Sequence, residues 1–394
     1  MTASSPRVPH QILVVDDEPD LELLVRQRFR RQIRDKEFEF LFSHNGEEAL
    51  QTLAVHPTVE LVLSDINMPV MDGLTLLGKL SEASKTLRAV VVSAYGDMSN
   101  IRTAMNRGAI DFLIKPIDFE DLEITIRKTL DQVAMLKQSL HTQERLMAIQ
   151  QELGVAARIQ QSILPRTFPP FPSRNDFELH AAMVPAKEVG GDLFDFFLLD
   201  DFHLGFVLGD VSGKGVPAAL FMAVSRTLLR AIALQQVPPG KCLDYLNATL
   251  SHQNSAYMFV TMFYGILDTR SGDVQYAVGG HNPPYIFSPG GGVRELSTSN
   301  GGPVVGLMEN ARYETAHCHI KPGEGILLFT DGVTEAINRS DEFFSEERLE
   351  QFLATHSNST AEQLVTSLHS LVESFAAGMP QADDITVLAL RYLG

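Results

Sequence analysis

Five short apolar runs punctuate the first 115 residues: QILVV (Gln11–Val15), FEFLFS (Phe38–Ser43), ELVLS (Glu60–Ser64), RAVVVS (Arg88–Ser93) and AIDFLI (Ala109–Ile114). Amphipathic stretches such as LELLVRQRFRRQI and GLTLLGKL lie between them. Near-continuous apolar runs suit strands buried on both faces, and apolar residues near helical spacing suit the helices that cover them. The alternation predicts a doubly wound α/β domain around a five-stranded parallel sheet, with ligands beyond the carboxyl ends of the strands.

From Asp118 to Leu164 the pattern changes to one long helix. Leu122, Ile126, Val133, Leu136, Leu140 and Met147 follow an a/d series, and Leu146, Ile149, Leu153, Ala156, Ile159 and Ile163 continue it after a phase shift. A stutter of this kind changes supercoiling without ending a helix, so the segment is expected to pair in parallel and make a homodimer. Gln143 and Gln150 are polar members of the first frame, and the competing reading is a single helix packed on its own domain. The prolines of ILPRTFPPFPS close the helix, because they remove backbone donors and favour extended chain. Clustered β-like runs follow, including DFELHAAMV, LGFVLGDV, FVTMFYGILD, VQYAVGG, GILLFT and ITVLALRYL. Helical patterns occur at 216–235, 240–253, 346–354 and 360–377. Strands in clusters predict an α+β domain of packed sheets with outer helices. The expected boundaries are 1–120, 121–165 for the helix, and 166–394.

The formal net charge of −17 argues against a nucleic-acid partner, which needs a basic face. No uninterrupted apolar run approaches the ~20 residues of a membrane span, and MTASSPRVPHQ lacks an apolar signal segment. Cys242 and Cys318 are far apart and form no metal-ligand pattern. A reduced, cytoplasmic protein without a membrane partner is expected.

Chemistry-bearing residues end the predicted strands. Asp16 and Asp17 follow the first, Asp65 the third, Ser93 ends the fourth and Lys115 follows the fifth. Converging carboxylates need a cation, for which hard Mg²⁺ is suited, and a lysine with a hydroxyl suits a phosphoryl group. The motifs VVDDEP, LVLSDINMPVMDG, VVVSAYG and FLIKP resemble those of the receiver domain of two-component response regulators, a flavodoxin-like fold, across Gln11–Lys128. The resemblance implies phosphorylation of Asp65 by a sensor histidine kinase or phosphotransfer protein. It implies Mg²⁺ held by Asp17, Asp65 and the Asn67 carbonyl, with Asp16 supporting the site. Ser93 and Lys115 would contact phosphoryl oxygens, Phe112 would be the switch aromatic, and the Lys115–Pro116 bond would be cis.

A second set of acids sits in glycine-rich turns beside predicted strands. EVGGDLFDFF carries Asp192, GDVSGKGVPAALFM carries Asp210, LLFTDGVTEA carries Asp331, and QADDITVLAL carries Asp383 and Asp384. Each alone reads as a β-turn; gathered at one sheet edge they could hold two divalent ions and aim a water at phosphorus. With AARIQQSILP, FVTMFYGILD, GGHNPP and FFSEERL, the stretch from Gln151 to Leu393 resembles the PPM-type (protein phosphatase 2C-like) serine/threonine phosphatases of the SpoIIE and RsbU class. That resemblance implies a β-sandwich flanked by helices and two Mn²⁺ or Mg²⁺ ions. Asp210 would bridge them, with Asp192 and the Val211 carbonyl on one side and Asp331 and Asp383 on the other. Gly191 and Gly213 would permit close approach. Asp384 stands where wider relatives often carry asparagine, and His281 in GHNPP reads as a turn residue rather than an acid.

Together these resemblances imply a response regulator whose output is a phosphoserine or phosphothreonine phosphatase. Its substrate would be a small regulatory protein such as an anti-sigma-factor antagonist. The arrangement also resembles RssB-type sigma-factor regulators, which leaves a binding adaptor without hydrolysis as the alternative. Retention of Asp192, Asp210, Asp331 and Asp383 favours catalysis.

Overall fold

The computed structural model describes residues 8–84, 86–94, 97–252 and 254–394. Tyr95 and Gly96 of VVVSAYG, and Gln253 at the end of one predicted helix, lie outside the described residues. The chain forms two compact units, Met1–Ala148 and Ile149–Gly394.

In the first unit β1 (His10–Val15), β2 (Phe38–Ser43), β3 (Val59–Asp65), β4 (Arg88–Ala94) and β5 (Asp111–Lys115) form a parallel sheet in the order β2-β1-β3-β4-β5. Helices α1 (Pro19–Arg28), α2 (Arg30–Arg34), α3 (Gly46–Val55), α4 (Gly73–Ala83) and α5 (Met98–Asn106) connect the strands, and α6 (Phe119–Ile163) follows β5. Alternate residues of a strand point to opposite faces. Ile12 and Val14 therefore join one core layer with Phe29 and Ile126, while Leu13 and Val15 join the other with Leu76 and Ala104. Both faces being covered explains why these strands read as unbroken apolar runs. Side-chain caps set two helix starts: the Asn45 carbonyl oxygen accepts from the N–H groups of Glu47 and Glu48, and Asp72 accepts from Thr75 at 2.7 Å.

The apolar series on α6 divides into a part buried within the chain and a part left exposed. Leu122, Ile126, Leu130 and Val133 are buried, the first three in the first unit's own core. Burying each contributes roughly 1.5–3 kcal/mol, so this turn of the pattern is already used within the chain. Met135, Leu146, Met147, Ile149, Val155 and Ile159 remain exposed.

In the second unit β7 (Leu193–Leu198), β8 (His203–Val211), β9 (Val260–Asp268), β10 (Asp273–Gly279) and β13 (Ala316–His319) form one sheet, in the order β13-β10-β9-β8-β7. The other is β12-β11-β14-β15-β6, from β6 (Phe177–Val184), β11 (Tyr285–Ser288), β12 (Gly292–Glu295), β14 (Gly325–Phe329) and β15 (Ile385–Tyr392). All of these pairings are antiparallel. Ile326, Leu328, Leu388 and Leu390 face the first sheet's Phe206 and Leu208 in a shared core. Leu327, Phe329, Val387 and Ala389 face the opposite way, onto α10 (Ser345–His356) and α11 (Ala361–Ala376). Helices α7 (Val216–Ala233) and α8 (Pro239–Ser251) cover the first sheet, and α9 (Asp331–Thr334) is a single turn. The result is the expected sandwich flanked by helices.

Among the described residues α7 alone is long and apolar enough to meet the length and composition of a membrane span. Here Ala218, Met222, Ser225, Leu229 and Ala233 are buried. Arg226 and Arg230 lie 2.9 and 3.0 Å from the carboxylate of Asp195, which is fully buried on β7. These two ion pairs and the apolar face fix α7 to the sheet.

Candidate functional site

The first unit brings its strand-end residues together. Asp16, Asp17 and Asp65 each place an oxygen within 4.8 Å of the others. Lys115 Nζ stands 2.7 Å from Asp65, 2.9 Å from Asp16 and 3.1 Å from Glu18. Burial works against the lysine's charge, but its carboxylate partners outweigh that and raise its pKa. Burial likewise lifts the Asp16 carboxyl above the ordinary range, against the pull of the Glu18 N–H and Lys115. Ser93 Oγ is buried without a hydrogen-bond partner, and Phe112 is half-buried on β5. Asn67 is exposed, its N–H bonded to Asp65 at 3.2 Å. The Lys115–Pro116 peptide is cis. Three carboxylates and an unsatisfied hydroxyl, made of hard oxygen donors, fit a divalent ion beside an incoming phosphoryl group.

The second unit assembles its acids from four turns. Asp210 is near the end of β8, paired in register with Thr261 of β9. Asp192 precedes β7, Asp331 opens α9 directly after β14, and Asp383 precedes β15. Among the described residues no three of these meet as tightly as the first unit's trio. Instead they form overlapping neighbours with Asp210 in the middle. Asp192 and Asp210 interact directly, and repulsion from Asp331 and Asp383 raises the Asp210 pKa. Burial, then repulsion from Asp331, pushes Asp210 up to about 7. Burial and the Asp210 charge lift Asp192 well above the carboxylate range, and burial and Asp383 lift Asp331.

Local structure holds the acids in place. Thr330 donates to Asp192 Oδ2 at 2.8 Å and Thr386 donates to the same oxygen at 2.5 Å, so the residue that follows β14 and the start of β15 both grip it. Asp384 is buried and accepts from the N–H groups of Ala186 at 2.8 Å and Gly191 at 2.6 Å. It is the staple of the Asp192 loop rather than a member of the acid line. Gln160, near the end of α6, makes a two-way amide clamp on Gly190: its Nε2 donates to the carbonyl at 2.5 Å and its Oε1 accepts the N–H at 3.1 Å. A Cβ on Gly191 would lie 2.9 Å from the Val211 carbonyl oxygen, so only glycine lets that carbonyl sit there. Gly213 has φ +86°, a conformation that favours glycine.

Lys214, in the GDVSGKG stretch, places Nζ 2.8 Å from Asp383 Oδ2 and donates to the Ala382 carbonyl. Its partner Asp383 raises its pKa. Sequence reasoning missed Lys214, Gln160, Thr330 and Thr386, although each stood inside or beside a motif that carried an acid. His281 is buried, and its Nδ1 meets Thr261 Oγ1 at 2.9 Å. Burial pushes its pKa down to about 4, which leaves it neutral and unsuited to donating a proton.

The residues fit divalent ions. Their donors are carboxylates and one carbonyl, Asp331 Oδ1 is buried without a hydrogen-bond partner, and Gly191 leaves room at the Val211 oxygen. One lysine faces several mutually repelling acids, so the cluster is short of positive charge.

A parallel sheet with Asp65 and Lys115 at its crevice, and a sandwich with an acid line at its edge, define a receiver domain followed by a domain of the PPM-type phosphatase fold. Residues 12–127 match the family described as response regulator receiver domain, and residues 200–393 match Stage II sporulation protein E (SpoIIE). The chain belongs to the response regulators, with 31% identity to the chemotaxis protein CheY of Bacillus subtilis over 98% of that protein, and its residues 200–393 form a SpoIIE-type domain. It is 32% identical over 266 residues to Protein IcfG of Synechocystis, an alignment covering 61% of this chain and 41% of that protein. It is 29% identical to the phosphoserine phosphatase RsbU of Bacillus subtilis, covering 62% of this chain and 70% of RsbU. The chain thus spans less than half the length of IcfG. The SiaA-PP2C domain of Pseudomonas aeruginosa shares the fold, with a TM-score of 0.56 and 22% identity over 63% of this chain and 98% of that one.

Proposed function

We propose that this chain hydrolyses phosphoserine or phosphothreonine on a small regulatory protein, such as an anti-sigma-factor antagonist, under the control of Asp65 phosphorylation. The observation that supports this most directly is the charge-starved acid line around Asp210, whose raised carboxyl pKa values mark a site made for cations. Two Mn²⁺ or Mg²⁺ ions held by Asp192, Asp210, the Val211 carbonyl, Asp331 and Asp383 would supply Lewis-acid stabilisation of phosphoryl charge and acidify water. The chain's own residues set the geometry. Thr330 and Thr386 aim Asp192, Asp384 fixes the loop that carries it, and Lys214 orients Asp383.

Asp65 would accept the phosphoryl group from a sensor histidine kinase or phosphotransfer protein, with Mg²⁺ at Asp16, Asp17, Asp65 and the Asn67 carbonyl. Lys115 would exchange carboxylate partners for phosphoryl oxygens, with Ser93 as a second contact and Phe112 repacking beside them. Gln160 is the natural point of control, because α6 ends on the loop that positions Asp192. The test is turnover of a phosphoserine protein with Mn²⁺ by wild type and Asp210→Ala. Loss of a hundredfold or more in the variant is expected, the scale seen when a charge-stabilising group is removed. Equal turnover in the two proteins would falsify the assignment. Binding of the phosphoprotein without turnover in either would leave the adaptor.

A further inference from the structure

Beside the acid line, a cavity of about 440 Å³ opens between the end of β6, the turn before β15 and the last turns of α11. Lys214 and Asp383 line it and also belong to the acid line, so the cavity adjoins the site at that ion pair. Val184, Ile337, Val372 and Ile385 give it apolar walls. Gln381 ties one wall to the site: its Nε2 donates to the Val184 carbonyl at 2.8 Å and to the Asp383 carbonyl at 2.7 Å.

The charges of the cavity are one-sided. Glu335 and Glu373 are exposed at its edge, and among the described residues neither side chain has a cation partner. Lys214 is already engaged by Asp383 at 2.8 Å. Burial keeps His369, on the same wall, below its ordinary pKa and so without charge to offer.

We infer that this cavity is a specificity subsite for a lysine or arginine side chain of the substrate polypeptide, within a few residues of the phosphorylated one. The inference rests on the phosphatase reading. Long basic side chains pair an aliphatic stem with a charged head, so the stem would lie against Val184, Val372 and Ile385 while the head meets Glu335 and Glu373. A wholly apolar side chain would cover those carboxylates and give them no partner, which costs free energy. An anionic one would be repelled. Neighbouring residues in a chain are about 3.8 Å apart, which suits an occupant close to the phosphoserine.

The test uses the purified full chain with Mn²⁺ and synthetic phosphoserine peptides carrying arginine or norleucine at each position from three before to three after the phosphoserine. Arginine should exceed norleucine in kcat/KM by about tenfold at one position, a difference on the scale of one charge-assisted contact. Glu335→Gln with Glu373→Gln should bring that ratio close to one. Glu373→Gln alone, on the exposed face of α11, should lower it part of the way. Equal rates for arginine and norleucine at every position, or a ratio that survives the double substitution, overturns the subsite. p-Nitrophenyl phosphate separates the two failures. No hydrolysis of it or of any peptide overturns the phosphatase reading and the subsite with it, whereas hydrolysis without an arginine preference overturns the subsite alone.

Discussion

The receiver and the phosphatase domain each gather acids at strand ends, but they handle the resulting repulsion in opposite ways. In the receiver Lys115 reaches three carboxylates, at 2.7, 2.9 and 3.1 Å, so the fold carries its own counter-charge. In the phosphatase domain Lys214 pairs, among the described residues, with Asp383 alone, and Asp192, Asp210 and Asp331 hold protons more tightly instead. A site with a built-in cation can stand without metal. A site whose one lysine meets a single acid is completed by what it binds.

That contrast is broken or sharpened by three measurements. The largest effect is expected from removing metal. Chelation from protein saturated at 100 times the dissociation constant should cost the phosphatase domain about 2.7 kcal/mol or more, seen as a midpoint lowered by roughly 5–10 °C. The receiver's transition should move much less. Equal shifts, followed by calorimetry of the full chain, would mean that Lys115 does not substitute for an ion in the way argued.

A smaller effect is expected from His281. Unfolded, a histidine titrates near 6.5, and here burial pushes it down to about 4. Between those values the unfolded chain binds the proton and the folded one does not. The stability that His281 contributes is therefore complete above about pH 6.5 and lost as pH falls toward 4. Between pH 7 and pH 5 wild type should lose about 2 kcal/mol more than His281→Asn in chemical denaturation. Parallel curves would show that His281 does take up charge in the folded site, making it a local cation that the contrast leaves out.

The smallest effect concerns what holds the Asp192 loop. Gln160→Ala removes both partners of the Gly190 backbone and so loosens the loop that carries Asp192. The Mn²⁺ concentration for half-maximal phosphatase activity should rise about tenfold. An unchanged Mn²⁺ requirement would show that Asp384 alone secures the loop.

The receiver's site was legible because strand order and strand ends can be read from apolar runs, and its functional side chains sit at those ends. The phosphatase acids were visible as residues, yet their convergence depends on partners far apart in sequence. Thr330 and Asp192 are 138 positions apart, and Ala186 and Asp384 are 198 apart. No local pattern announces such pairs. Gln160 escaped notice because a polar residue on a helix face is ordinary until its receptor is known. The α6 stripe is two-sided for a related reason: periodicity shows which residues seek cover but not what covers them. Leu122, Ile126 and Leu130 find that cover in the receiver itself.

Gly332 lies against the Asp384 carbonyl, where an added Cβ would come within 2.0 Å, and a Cβ on Gly190 would come within 2.5 Å of the Asp384 carboxylate. This gives a criterion for reading other chains of the same build. A chain that retains every acid but replaces Gly332 must move backbone behind those acids, and one that replaces Gly190 must displace the Asp384 carboxylate that staples the Asp192 loop. In such a chain loss of hydrolysis is expected despite an intact acid set. Sorting enzymes from adaptors by their aspartates alone would then misfile it, and the two glycines are the letters that correct the spelling.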